Sequence, residues 1–301
     1  MLAVATSSGS VELHAVQGGR DGAASLKYLR SIPTSEDGSL ALSLAWCPRL
    51  DKKNVLAVTL SNGALVLVDV SSDLLHGGQS VLANSNTHTL EAWTCAWGQS
   101  DGLPDIYSGG DDSILARQQL FETSEDRLIL RVDDNRTHEA GVTAILPLSD
   151  GYILTGSYDE YVRVLQPPGL QSPSSHGTKR RWKCPQDLRL GGGVWRLKVM
   201  GGRRDRQAEQ ARPEDTWLVL VSCMHAGARI LRIIKAEEWS IKIVASFEEH
   251  ESMNYGSDFI ACSGWKNSAP EDGFVVVSTS FYDKRLCVWR CFERSSPDWL
   301  L

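Results

Sequence analysis

The sequence has few of the features that would take it out of the reduced, water-soluble class. None of its seven cysteines forms a Cys-x-x-Cys pair, which argues against structural zinc and against a disulfide framework. No run reaches the ~18 apolar residues of a spanning helix, and the N-terminus lacks a charged stretch followed by an apolar one. Neither a membrane span nor a secretory leader is expected. Lys and Arg number 31 against 37 Asp and Glu, and the charge of −6 supplies no global basic field for nucleic acid. The one basic cluster, Lys179-Arg180-Arg181-Trp182-Lys183, follows Pro167-Pro168-Gly169 and reads as a solvated loop. There is no Gly-x-Ser-x-Gly elbow, phosphate-binding loop or His-Glu-x-x-His motif. Cys47, Cys95, Cys223, Cys262 and Cys287 fall in predicted strands, and buried reduced thiols fit a cytoplasmic protein.

What the sequence does have is a repeat. Small or hydroxylated residues close an apolar strand, a polar turn residue follows, and an alternating strand begins, as in Ser108-Gly109-Gly110-Asp111-Asp112-Ser113-Ile114-Leu115. Aligned on the turn residue, the units fall at Ser8, Asn62, Asp112, Asp159, His225 and Asp283. The steps of 54, 50, 47, 66 and 58 residues match WD-type blades of roughly 40–45 residues carrying loop insertions. The pattern predicts an all-β, WD-repeat β-propeller, one domain over residues 1–301, of the seven-blade type with an incomplete first blade. The expected parts are a half blade at 1–16 and blades at about 40–75, 88–132, 137–168, 191–245 and 250–291. A half blade leaves a sheet edge open, so N-terminal sequence is expected to be missing. Innermost strands are read at Leu42–Trp46, Trp93–Trp97, Val142–Leu146, Val194–Lys198 and Gly256–Ile260, and outer strands at Arg127–Val132 and Ser240–Val244. Segments 167–190 and 201–215 lack periodicity and read as loop insertions.

A His ahead of an innermost strand, bonded to the Asp of the same blade's turn, stiffens such a blade. His138 with Asp159, His88 with Asp112 and His250 with Asp283 suit that role. Other positions break the pattern. His225 holds a turn slot where Asp is expected. Arg196 and Asp258 share one register in neighbouring innermost strands where Cys95 and Ala144 stand elsewhere, and a pair of such charges is expected to bond to each other. The segment His250-Glu251-Ser252-Met253-Asn254-Tyr255-Gly256-Ser257-Asp258 gathers acid–base and hydrogen-bonding groups. His225, His250, Arg196, Asp258 and Tyr282 are expected at one mouth of the channel, giving the base, cation and hydroxyls that ester hydrolysis needs. Water, or an unconventional nucleophile, would have to attack. No spacing calls for a metal, and no cofactor is expected.

Glu91-Ala92-Trp93, Gly109-Gly110-Asp111-Asp112, Gly141-Val142-Thr143 and Thr155-Gly156-Ser157-Tyr158-Asp159-Glu160 together resemble one WD-repeat family. Gly191-Gly192-Gly193-Val194-Trp195-Arg196, Cys223-Met224-His225, Glu249-His250-Glu251-Ser252 with Tyr255-Gly256-Ser257-Asp258, and Ser280-Phe281-Tyr282-Asp283 continue the likeness, in order, from about residue 40 to 291. The family is diphthine methylesterase, the WD-repeat proteins of diphthamide synthesis. Leu165-Gln166-Pro167 replaces the expected Trp-Asp ending, and Phe259 stands where Trp is usual. The resemblance implies removal of the methyl ester from methylated diphthine on translation elongation factor 2, with release of methanol. On that substrate His225 or His250 would be the general base, Arg196 the oxyanion or carboxylate partner and Asp258 an orienting group. Trp195, Tyr255 and Tyr282, with Glu251 beside them, would line the side of the trimethylammonium group, since aromatic faces attract quaternary cations. The protein partner is then elongation factor 2, with no direct nucleic acid, no membrane and a monomeric chain. The competing reading is a non-catalytic WD-repeat scaffold that docks proteins, which fold alone favours.

Overall fold

The computed structural model describes residues 1–18, 24–48, 54–71, 81–98, 104–122, 127–168, 181–204, 215–262, 273–293 and 299–300. Apart from a 3-10 turn at Ser149–Gly151, every regular element among them is a strand. The strands form six sheets. The first holds β1 (Leu2–Ala5), β2 (Ser10–Gly18) and β3 (Ala24–Pro33), and the second β4 (Ala41–Trp46), β5 (Val55–Leu60), β6 (Ala64–Asp69) and β7 (Val81–Asn86). The third holds β8 (Ala92–Trp97), β9 (Asp105–Gly110), β10 (Leu115–Glu122) and β11 (Arg127–Asp134). The fourth is β12 (Val142–Pro147), β13 (Ile153–Ser157), β14 (Tyr161–Gln166) and β15 (Lys183–Arg189). The fifth is β16 (Arg196–Arg204), β17 (Asp215–Ser222), β18 (Ala228–Lys235) and β19 (Trp239–Phe247). The sixth is β20 (Asn254–Cys262), β21 (Gly273–Ser280), β22 (Leu286–Glu293) and β23 (Trp299–Leu300). Neighbours in sequence are neighbours in each sheet, the up-and-down order of a propeller blade. The all-β propeller class read from the repeat holds, with six blades among the described residues.

The chain divides into two compact units, Met1–Tyr152 with Pro167–Trp182 and Ile153–Gln166 with Lys183–Leu301. In the first, β5 and β6 are buried along their length, and Leu56, Val58, Leu60, Val66 and Val68 form a core with Val11 and Leu13. In the second, Leu220, Ile230, Val276, Trp289 and Cys291 do the same. A buried face and an open face alternate along the sixth sheet. Phe259, Val276 and Trp289 point into the core, while Ile260, Leu286 and Val288 on the other face are 70%, 65% and 62% exposed.

The recurring turn has a physical basis. Asn62 Oδ1 accepts the Ala64 N–H at 3.1 Å, Asp112 Oδ1 that of Ile114 at 3.1 Å and Asp159 Oδ1 that of Tyr161 at 3.0 Å. The next residue is left-handed each time: Gly63 at φ 86°, Ser113 at 62° and Glu160 at 71°. An Asx side chain that caps its own turn makes this conformation affordable. At His225 the turn differs, because the left-handed residues are Met224 at φ 44° and Gly227 at 74°. His225 holds the aligned position without the aligned geometry, since imidazole does not make the short Asx cap.

Three expectations need correction. The N-terminal sheet does not end at residue 16, for β3 pairs with β2 as far as Pro33. Segment 167–190 contains a strand, β15, and β16 runs to Arg204 inside the expected 201–215 insertion. Of the basic cluster, residues 179 and 180 lie outside the described residues, whereas Trp182 packs edge-on against Tyr107 at 6.4 Å and Lys183 opens β15.

Candidate functional site

Four segments of the second unit are stitched together at one end of its sheets. The loop Gly191-Gly192-Gly193 leads into β16, with Val194 N–H donating to Ser157 O (2.9 Å) and Trp195 N–H to Ser222 O (2.8 Å). It lies flat on the His225 turn: a Cβ on Gly192 would stand 2.2 Å from Cys223 O, and one on Gly193 2.6 Å from Met224 Sδ. At Gly192, which meets backbone, only glycine fits this close approach. On the turn's other side Asn254 N–H donates to Met224 O at 2.9 Å. Asn254 is fully buried, and its amide donates to Thr279 O at 2.9 Å and Gly256 O at 3.2 Å. Phe281 N–H reaches Met253 O at 3.0 Å.

This stitching sets out a run of rings. Trp195 meets Tyr158 at 5.7 Å and Tyr255 at 5.2 Å; Tyr255 meets Phe281 at 6.0 Å, and Phe281 meets Tyr282 at 5.1 Å. Most of these contacts are edge-on, the arrangement that ring quadrupoles favour. The Arg196 guanidinium carbon lies over the Trp195 ring, 5.3 Å from its centre, and Nη1 donates to Trp195 O at 3.1 Å. Arg196 is exposed by area, yet surrounding protein desolvates it enough to pull its pKa below the usual guanidinium value. Open to water, it stays charged. Burial, then the neighbouring Tyr282, raises the Tyr255 phenol. Tyr282 itself is 70% exposed.

The four residues expected to do chemistry part company here. His225 is exposed at the tip of its turn, and its ring makes no hydrogen bond to another described residue. His250 is buried: Nε2 lies 2.8 Å from Ser278 Oγ, Nδ1 lies 3.9 Å from Cys287 Sγ, and the ring sits edge-on to Phe247 at 5.4 Å. Ser278 also accepts Trp289 Nε1–H at 3.1 Å. Desolvation lowers the His250 pKa, keeping the ring neutral. The expected Arg196–Asp258 pair is not made. Asp258 binds Lys198 instead and accepts the Phe259 N–H at 2.7 Å, and these contacts, Lys198 foremost, lower its pKa. Lys198 lies two residues beyond Arg196, on the same face of β16.

Glu251 is exposed and pairs with Arg285 at 3.1 Å. His250 does not hydrogen-bond Asp283, whose carboxylate accepts the hydroxyls of Ser280 and Ser252 and the Glu251 N–H and sits at a pKa of about 2. Asp159 pairs with Arg163 at 2.9 Å. Sequence reasoning passed over Tyr158 and Phe281. Its signal was available for Tyr158, which precedes its turn residue as Tyr282 precedes Asp283.

No group of three metal-ligating side chains occurs among the described residues. No helix there is long and apolar enough to cross a membrane. An open cleft of about 560 Å³ in the first unit, lined by Asp133, Arg136, Arg181 and Trp182 among others, contains none of the candidate site residues.

No protein-family model matches the chain. Among curated proteins, the diphthine methyltransferase of Schizosaccharomyces pombe is 34% identical over 295 residues, covering 96% of this chain and 74% of that protein. That of Saccharomyces cerevisiae is 30% identical over 67% of this chain, and that of Mus musculus 28% identical over 86%. The chain spans only 49% and 50% of those two relatives. Among solved structures, Chaetomium thermophilum Sqt1 superposes with a TM-score of 0.56 at 14% identity, over 92% of this chain and 65% of Sqt1. A second Sqt1 structure, bound to the N-terminus of ribosomal protein L10, gives 0.56 at 16% identity. At that identity the likeness speaks for the fold alone. The fission yeast match is of another order, and by its identity and its reach along both proteins this chain belongs to the diphthine methyltransferase family.

Proposed function

We propose that this chain is a carboxylic-ester hydrolase of diphthamide biosynthesis, taking the methyl ester off methylated diphthine on translation elongation factor 2 in the cytoplasm. One observation carries the reading: an exposed imidazole, an exposed guanidinium and a run of aromatic rings lie on one stitched end of the second unit. His225 takes a proton from water as the hydroxide oxygen bonds to the ester carbon. Arg196 stabilises the oxyanion. When that intermediate collapses, the ester C–O bond breaks and the methoxide leaves with the proton held by His225, as methanol. The acid so formed gives its proton to solvent, and the product carboxylate remains opposite Arg196. His250, buried and bonded to Ser278, shapes the wall rather than acting as base. Trp195, Tyr255 and Tyr282 take the trimethylammonium side, and Glu251 and Asp258 lie at the margin, each tied to a cation.

Hydrolysis by water, rather than methyl transfer with a nucleotide-like donor, suits this architecture. A nucleotide-like methyl donor is ordinarily held at helix N-termini behind parallel strands, and the described strands pair antiparallel with no α-helix among them. A monomeric chain and a seven-blade ring, one blade beyond the six sheets described, belong to the same reading. The second reading, a scaffold without chemistry, draws on the propeller neighbour solved with a ribosomal-protein N-terminus. Purified chain incubated with methylated-diphthine elongation factor 2 decides between them by mass spectrometry. Loss of one CH₂ from the factor with methanol released supports the hydrolase. A factor that stays bound with its mass unchanged supports the scaffold.

A further inference from the structure

We infer that Arg196 is a built-in occupant of the quaternary-ammonium site, which the substrate's cation must displace from the face of Trp195. The inference rests on the hydrolase reading for its choice of ligand, but the geometry behind it is independent of that reaction. Trp195 is wedged between Tyr158 and Tyr255, whose rings meet it at 5.7 Å and 5.2 Å, so its orientation is fixed. The Arg196 guanidinium lies over the ring at 5.3 Å, within the ~6 Å at which a cation gains from an aromatic face. Among the described residues its hydrogen bond goes to its own neighbour, Trp195 O at 3.1 Å, and the carboxylate expected to hold it, Asp258, is taken by Lys198. A guanidinium desolvated below its usual pKa and lacking that carboxylate is cheap to move.

A trimethylammonium group suits the vacated face better than water does, because it is weakly hydrated and gives up no hydrogen bond on leaving solvent. The freed guanidinium then has a use. It is planar, stays charged and presents a fork of donors that matches a carboxylate, so the step that seats the cation delivers Arg196 to the ester or its product. Cation binding and oxyanion stabilisation become one motion of one side chain.

The test uses the whole chain, choline as probe and tryptophan fluorescence or calorimetry as readout, with the neutral carbon analogue of choline as control. Choline is expected to bind wild type weakly and its neutral analogue not at all. Arg196→Ala, which removes the occupant, is expected to tighten choline binding about two- to fivefold, the worth of one partly exposed cation–π contact, while turnover of the methyl ester falls. Arg196→Lys, which restores a cation, should return choline affinity towards wild type. Trp195→Ala should abolish binding. If Arg196→Ala, shown to be folded by its melting curve, leaves choline affinity unchanged or weakens it, the inference is overturned. The same holds if choline binds no better than its neutral analogue. Should the wild-type chain hydrolyse no ester and yet show tighter choline binding in Arg196→Ala, the proposed reaction falls and the displaced-cation site stands.

Discussion

His88 in the third sheet and His250 in the sixth occupy the same place, just ahead of an innermost strand, and they are bonded differently. His88 uses both nitrogens for oxygen partners: Nδ1 lies 3.0 Å from Asp112 Oδ1 and Nε2 2.9 Å from Ser108 Oγ. His250 keeps the serine, at 2.8 Å, but its other nitrogen faces the Cys287 sulfur at 3.9 Å. Its expected carboxylate, Asp283, has turned to Ser252, Ser280 and the Glu251 N–H. The acid has been moved from stiffening a histidine to tying the segment that carries Ser252 and Tyr255 to the turn that carries Tyr282. One sheet spends its Asp on the frame and the other on the candidate site.

The comparison is broken most directly at the exposed imidazole. If His250 is frame and His225 is the base, His225→Ala lowers ester turnover by ~10²–10⁴, while folded His250→Ala keeps turnover within a few-fold of wild type. Full activity in His225→Ala, measured by methanol release, puts the base elsewhere. Next in size is stability. His88→Ala takes a hydrogen bond from a carboxylate whose side chain is only 6% exposed and which keeps the Thr89 and Ile114 N–H groups, at a cost of about 1.5–3 kcal/mol. His250→Ala takes one partner from a serine hydroxyl that keeps Trp289 Nε1–H, at about 0.5–1.5 kcal/mol. Urea midpoints give the order, and equal losses erase the distinction.

Acid sensitivity is the third expectation. Burial depresses both imidazoles, against an opposing pull from Asp112 on His88 and from Asp283 on His250. Below about pH 6.5 the unfolded chain takes up protons that the folded rings refuse, so stability is full above that value and falls as pH drops towards the lower folded values. Burial alone would raise the Asp112 carboxyl, but the Thr89 N–H and His88 outweigh it. The carboxylates Asp112 and Asp283 extend the loss below about pH 4, where the unfolded groups protonate first. A stability series in urea against pH should lose part of its upper slope in His88→Gln and keep its lower one. The smallest effect belongs to the Lys198–Asp258 pair, with side chains 48% and 67% exposed. Asp258→Asn should shift stability by under ~1 kcal/mol and leave turnover near wild type. A large loss of turnover in that variant would restore Asp258 to the chemistry.

The strands that the sequence disclosed are those with an apolar rhythm and a capped turn. β5, β6, β13 and β14 are bounded by Asn62 and Asp159, whose side chains cap the turns between them. The strands it hid are exposed outer ones. β3 has one buried residue in ten, Ile32, and β15 contains Pro185 and no buried residue at all. Such strands are held by backbone ladders to a neighbour rather than by side-chain pattern, so residue types say little about them. At the candidate site His225 and Arg196 were legible as departures from the repeat, whereas the cation-lining role of Trp195, Tyr255 and Tyr282 was reached only through the substrate that the family resemblance implies. The Arg196–Asp258 pairing was misread because a shared register does not say which of two cations on one strand face, Arg196 or Lys198, lies nearer the acid.

The open face of the sixth sheet decides how this protein behaves on the bench. Ile260, Leu286 and Val288 share that face with Val275 and Val277, while a charge of −6 pushes copies apart. The two respond oppositely to salt. Dilute sodium chloride screens the repulsion, and sulfate goes further by strengthening apolar contact. Ammonium sulfate should therefore drive self-association at concentrations where equal ionic strength of chloride leaves the chain dispersed, and a charged residue in place of Leu286 or Val288 should remove that difference between the salts.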